Sequence, residues 1–136
     1  MALHMIARLV AGVAAVATTM SAVRSIAVDL KGDYKVEFVV DSTSYTGTAK
    51  TTPGAKGAFT AKFDFTSPAA ISADATGKTT GDSLTFDMKY VDNTRNCTGT
   101  VRGSGTVAKD GNEASGELSV NDSCGGEAPG TFRLYR

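Results

Sequence analysis

Four side chains in this sequence could together hold a small organic molecule: Tyr45, Phe65, Tyr90 and Arg95. Two phenols and a phenylalanine would provide an aromatic floor, and one guanidinium would orient an amphipathic ligand that bears an acidic group. The same residues also fit a plainer interpretation, because tyrosines often cap a hydrophobic core and a charge beside a loop is often only solvated. The choice depends on whether the elements that carry these residues bring them together.

Residues that could catalyse a reaction or hold a metal are scarce. The only histidine, His4, lies in an N-terminal leader, so the folded domain lacks the commonest general base and metal ligand. Carboxylates at Glu37, Asp64, Asp74 and Asp87 fall in the solvent-facing phase of the strands predicted below, and they do not form a catalytic pair. The sequence therefore predicts a protein that is not an enzyme and has neither a metal site nor a cofactor.

Length and charge set further bounds. A chain of 136 residues is long enough for one domain with a real hydrophobic core. Fourteen basic and fourteen acidic residues cancel, and the isoelectric point is near 6.6. Phosphate backbones are bound by basic surfaces, so nucleic acid is not an expected partner.

The first part of the chain is typical of a secretory signal peptide. Arg8 precedes an uncharged run from Leu9 to Val23, and small residues follow at several possible cleavage points. A membrane anchor is the alternative, but the run is shorter than the roughly 20 residues that a spanning helix needs. We predict a signal helix within residues 1–27, cleavage somewhere in 17–27, and a single domain over 28–136 that is secreted or periplasmic.

From Tyr34 to Tyr135, apolar residues alternate with polar ones almost without interruption. A period of two places successive side chains on opposite faces of a strand. Turn-forming residues divide this region into eight predicted strands, at 33–41, 44–51, 57–66, 69–77, 82–91, 96–109, 112–121 and 129–135. The connections are short, so consecutive strands must be antiparallel, and the chain is an all-β up-and-down meander.

The two cysteines are predicted to form a disulfide. Asp110-Gly111 is typical of a two-residue type I′ turn, and the register of that hairpin places Cys97 directly opposite Cys124. Together with the signal peptide, this pairing indicates an oxidising compartment. Two free buried thiols are the alternative.

One uncharged inward set on eight strands favours a closed barrel over a sandwich, because closure removes the unpaired edges that invite aggregation. The outward phase is rich in Lys, Arg, Asp, Glu and Thr, so a transmembrane barrel is not expected. Bulky residues on some strands face small ones on others, which is how a solid core interdigitates. An eight-stranded barrel can nevertheless be filled or hollow, and both remain open.

In these features the chain resembles the calycin group, the lipocalins and avidin-like proteins, whose first strand opens with Gly-x-Trp. The counterpart is Gly32-Asp33-Tyr34, with Tyr in place of Trp. The resemblance implies that Arg136, after the last strand, packs over the ring of Tyr34 and closes that end. It does not extend to the biotin contacts of avidin.

The calycin resemblance also implies a ligand-binding mouth at the end opposite the termini. There Tyr45, Phe65 and Tyr90 point inward, and a rim carries Arg95 together with Asp92, Asn121, Asp122 and Glu127. We therefore expect a barrel that binds a small apolar or amphipathic molecule at this mouth without chemistry. The alternative is a protein-interaction module with a filled core, such as an inhibitor of a secreted enzyme, which contacts its partner through the loop from Asn121 to Pro129.

Overall fold

The alternating residues line the inside and outside of a closed barrel in the computed structural model, which describes residues 27–136. The strands are β1 (Gly32–Val40), β2 (Thr43–Pro53), β3 (Ala58–Ser67), β4 (Ile71–Thr80), β5 (Ser83–Asp92), β6 (Cys97–Val107), β7 (Glu113–Asp122) and β8 (Gly126–Tyr135), with a short 3-10 turn at Ala55–Gly57. All are antiparallel in sequence order, and β8 pairs with β1. The predicted all-β meander barrel is confirmed. The predicted signal helix, within residues 1–27, lies outside the described residues except for residue 27.

The β6–β7 hairpin has the predicted register but not the predicted turn. Only Gly111 has a positive φ there, of 74°, and the N–H of Ala108 still bonds to the carbonyl of Glu113, so the loop spans residues 109–112. The predicted two-residue loop and the observed four-residue loop have the same centre. The pairing register of β6 and β7 is therefore the same for both. Two consecutive positive φ values occur instead at Asp41–Ser42, at 48° and 65°, and at Lys56–Gly57, at 55° and 81°.

The predicted disulfide joins Cys97 to Cys124, with a Cα–Cα distance of 5.9 Å. It ties the start of β6 to the β7–β8 connection, and it indicates a location outside the cytoplasm. That connection is shorter than predicted. Because β7 runs to Asp122 and β8 begins at Gly126, only residues 123–125 lie between the two strands.

Phenylalanine rings fill the middle of the barrel. The rings of Phe38 and Phe65 meet edge to face at a centroid distance of 5.0 Å, and Phe86 and Phe132 do so at 5.1 Å. Such pairs stabilise a core beyond the area they bury. Gly103 lies opposite Phe86 on β6, and a Cβ there would collide with the ring, so small residues do face large ones.

The end that holds both described termini is closed. The Arg136 guanidinium lies 4.2 Å from the centroid of the Tyr34 ring, as predicted. It also donates to the carbonyl of Lys31 at 2.7 Å and to Asn112 at 3.0 Å. Leu30 is also buried and belongs to the hydrophobic core. Within residues 27–136, no helix is long and apolar enough to cross a membrane.

Candidate ligand-binding site

The opposite end of the barrel contains an open cavity of about 170 Å³. Strand direction places the connections at 41–42, 68–70, 93–96 and 123–125 around this end. The four residues predicted to contact a ligand all line the cavity. The lining is Phe38, Val40, Asp41, Tyr45, Phe65, Ile71, Met88, Tyr90, Arg95, Val101, Val120, Asp122, Gly125, Gly126 and Ala128. The barrel is therefore filled in the middle and hollow at its mouth.

The aromatic wall is built by cross-strand pairing. Tyr45 is the direct neighbour of Phe38 across β1 and β2, and both point inward together with Phe65 of β3. Tyr90 approaches from β5, where its partner on β6 is Gly99. A Cβ at Gly99 would collide with the ring and the hydroxyl of Tyr90, so the missing side chain leaves the space that the ring occupies.

Arg95 is held by a buried carboxylate. Asp92 is only 2% exposed, and its Oδ2 accepts a hydrogen bond from Arg95 Nε at 2.8 Å. Its Oδ1 accepts from the backbone N–H of Thr94 at 3.1 Å, which shapes the turn after β5. The hydrogen bond from the Arg95 side chain is the main reason why the pKa of Asp92 lies below its usual value.

A second carboxylate, Asp122, meets the same guanidinium from β7. Its Oδ2 accepts from Arg95 at 3.2 Å and from the Tyr90 hydroxyl, while its Oδ1 accepts from the N–H groups of Cys124 at 2.8 Å and Gly125 at 3.1 Å. Four donors therefore satisfy this carboxylate. The Tyr90 hydrogen bond contributes most to lowering the pKa of Asp122, and burial, followed by this same bond, raises the pKa of Tyr90.

These contacts change the role expected of Arg95. Its charge is offset by two carboxylates, so the arrangement does not favour a ligand with an acidic group. Asp92 and Asp122 were expected on the solvated rim, yet both face inward. The signal was present in the sequence, because Asp92 shares the phase of Tyr90 on β5 and Asp122 shares that of Val120 on β7.

Among the described residues, one group has the composition of a metal site: Cys97, Cys124 and Asp122, whose ligand atoms lie within 4.8 Å of one another. The two sulfurs are bonded to each other, so neither is a thiolate that could ligate a metal. The disulfide instead fixes the backbone that donates to Asp122.

The remaining cavity residues not singled out from the sequence are mostly aliphatic. These residues share the inward phase of the packed core residues. Only the cavity beside them, which the alternation does not reveal, distinguishes them from the core.

No protein-family model matches the chain, and no curated protein matches it. Solved structures that share the fold include EF1p2_mFAP2b bound to DFHBI and a redesigned β-barrel, b11L5F_LGL. The first has a TM-score of 0.61 at 15% identity, covering 79% of this chain and 93% of that one. The second has a TM-score of 0.58 at 20% identity, covering 79% and 90%. The chain is thus an eight-stranded antiparallel barrel similar to these proteins, and at such identities the likeness shows the fold alone.

Proposed function

We propose that this protein is a secreted or periplasmic carrier or receptor domain that binds a small amphipathic molecule in the cavity at the barrel mouth, without catalysing a reaction. The observation that carries this proposal is an open cavity of about 170 Å³ with aromatic walls at this end, above a middle that phenylalanine rings fill. Ligand sites are typically concave and largely apolar, with a few polar groups that fix orientation.

The volume limits the ligand. An engineered protein cavity of about 150 Å³ holds one benzene ring, so this cavity suits a single ring or a short alkyl group, with the rest of the ligand in the open mouth. The structure of EF1p2_mFAP2b, a barrel of similar fold, is bound to DFHBI, which supports the proposal that a barrel of this fold can hold a small molecule.

The hydrogen bonding supports binding rather than catalysis. A general acid or base works best when its pKa lies near the working pH. The pKa values of Asp92 and Asp122 are lowered, and that of Tyr90 is raised, so all three are poorly matched to proton transfer near neutrality. Asp122 is also fully occupied by donors from the protein.

Native mass spectrometry of the protein purified from its natural host tests the proposal. We expect a bound small molecule that is lost from a Tyr90→Ala variant, because that change removes one wall of the cavity. Tyr135→Ala is the matched control, since Tyr135 lies on the outside of β8 against Arg133. Equal retention by the two variants would place the ligand elsewhere.

The alternative function is protein interaction through the Asn121 to Pro129 segment. One observation favours it: residues 123–125 are exposed while the disulfide at Cys124 fixes their backbone, and a preorganised loop loses little entropy on binding. The same mass spectra separate the two functions. An empty barrel accompanied by a second protein would favour interaction over ligand binding.

A further inference from the structure

The charge balance of the mouth cavity indicates which class of ligand it takes, an inference that rests on the proposed function. The charged residues that line it are Asp41, Arg95 and Asp122, and Asp92 lies directly behind Arg95. The cavity and its immediate surroundings thus hold three carboxylates and one guanidinium, whose summed charge is negative.

The single cation is not free to attract an anion. Arg95 Nε lies 2.8 Å from Asp92 Oδ2, and one of its terminal nitrogens lies 3.2 Å from Asp122 Oδ2. An anionic ligand that approached its exposed face would also approach both of these carboxylates. Their repulsion offsets the attraction of the guanidinium.

Asp41 is the carboxylate of the cavity lining that remains available to bind a positively charged ligand. It is exposed at the β1–β2 turn, and no hydrogen bond or ion pair engages its side chain within residues 27–136. Two phenol rings lie in the same cavity. The Tyr90 hydroxyl donates its proton to a hydrogen bond with Asp122, so its oxygen remains free to accept a hydrogen bond from an ammonium group.

Aromatic faces and a free carboxylate around an apolar cavity are the chemistry that holds organic ammonium ions. We propose that the ligand is a small amphipathic cation whose ammonium group lies among Asp41, Tyr45 and Tyr90 and whose apolar end occupies the cavity against Phe38 and Phe65.

Three probes of similar size but different charge test this inference: benzylammonium, benzyl alcohol and benzoate. Each is titrated to millimolar concentration into the isotope-labelled protein, and amide NMR shifts of Gly99 and Gly125 report on the cavity. We expect benzylammonium to bind roughly tenfold more tightly than benzyl alcohol, and benzoate most weakly.

An Asp41→Asn variant isolates the charge, because Asn adopts the left-handed backbone of this turn as readily as Asp. It should weaken benzylammonium roughly fivefold and leave benzyl alcohol unchanged. Asp82→Asn, at the opposite end of the barrel, is the control and should change neither.

The outcomes distinguish the two proposals. If benzyl alcohol or benzoate binds as tightly as benzylammonium, or if Asp41→Asn has no effect, the cation preference is wrong and ligand binding stands. If none of the three probes shifts the cavity amides, the proposed function fails together with the inference.

Discussion

Tyr90 reaches across the whole width of β6 to donate its hydroxyl hydrogen bond to Asp122. The register explains how, because Gly99 is the direct partner of Tyr90 on one side and of Asp122 on the other. With no side chain between them, the phenol lies over the glycine backbone and meets the carboxylate. This contact links β5 to β7 at the edge of the cavity.

Gly99→Ala should disrupt this link. The added methyl group would collide with the ring and the hydroxyl of Tyr90. We expect a loss of roughly 1 to 3 kcal/mol in the free energy of unfolding, measured by urea denaturation, and weaker binding at the mouth. Gly125→Ala is the control, because a Cβ there meets only Asp122 Oδ1, at 4.0 Å, and the stability should hardly change. Equal effects of the two variants would contradict the assigned role of Gly99.

Tyr90→Phe should raise the pKa of Asp122 while preserving the ring. The hydroxyl is the largest contribution to the lowered pKa of this carboxyl, so its removal moves the pKa toward the usual value. Carboxyl-carbon NMR titration measures the change directly. The free energy of unfolding should fall by about 1 kcal/mol, the typical value for one hydrogen bond. An unchanged pKa of Asp122 would show that the hydrogen bond does not form in solution.

Stability should decrease in acid because Asp92 and Asp122 have pKa values below those of the unfolded chain. For a lowered pKa, the unfolded state takes up protons first. The stabilisation is therefore complete above about pH 5 and is lost as the pH falls through the lowered values. Urea denaturation between about pH 7 and pH 2 should show this decline, with a shallower slope in Asp92→Asn. A wild-type stability that stayed constant into strong acid would contradict the ion pairs described here.

Arg136→Ala should destabilise the closed end and leave the mouth unaffected. The variant loses the stacking on Tyr34 and three hydrogen bonds, to Lys31, Asn112 and Gly111. We expect about 1 to 2 kcal/mol of lost stability. Arg102→Ala removes an ion pair of highly exposed side chains with Asp87, and should cost less than about 0.5 kcal/mol. Ligand affinity should be the same in both variants, as measured by the NMR titration.

Replacing both Cys97 and Cys124 with Ser should lower the free energy of unfolding by about 3 kcal/mol, since the disulfide no longer restricts the unfolded chain. The barrel register does not depend on the bond, so the circular dichroism of the folded variant should match the wild type. Binding at the mouth should weaken, because Cys124 and Gly125 no longer hold Asp122 as firmly. Full affinity in the double variant would show that the bond has no part in shaping the cavity.

Much of the architecture follows from the sequence alone. The two-residue alternation determined which side chains face inward, and the short connections determined the order and direction of the strands. The pairing of Cys97 with Cys124 followed from the predicted register of the β6–β7 hairpin, and the stacking of Arg136 on Tyr34 was implied by the calycin resemblance. The turn at Asp110-Gly111 was assigned wrongly, because a two-residue and a four-residue loop with the same centre give one register.

The phase of Asp92 and Asp122 could also have been read from the sequence, because alternation is a local property of each strand. Their partners could not. Arg95 meets both carboxylates only because β5, the turn after it and β7 converge at one end of the closed barrel. Likewise, the cavity is the small difference between the space that eight strands enclose and the volume of the side chains that fill it. The sequence thus determined the barrel and its facing residues, whereas only the tertiary structure decided that the mouth is hollow and that its charges sum to a negative value.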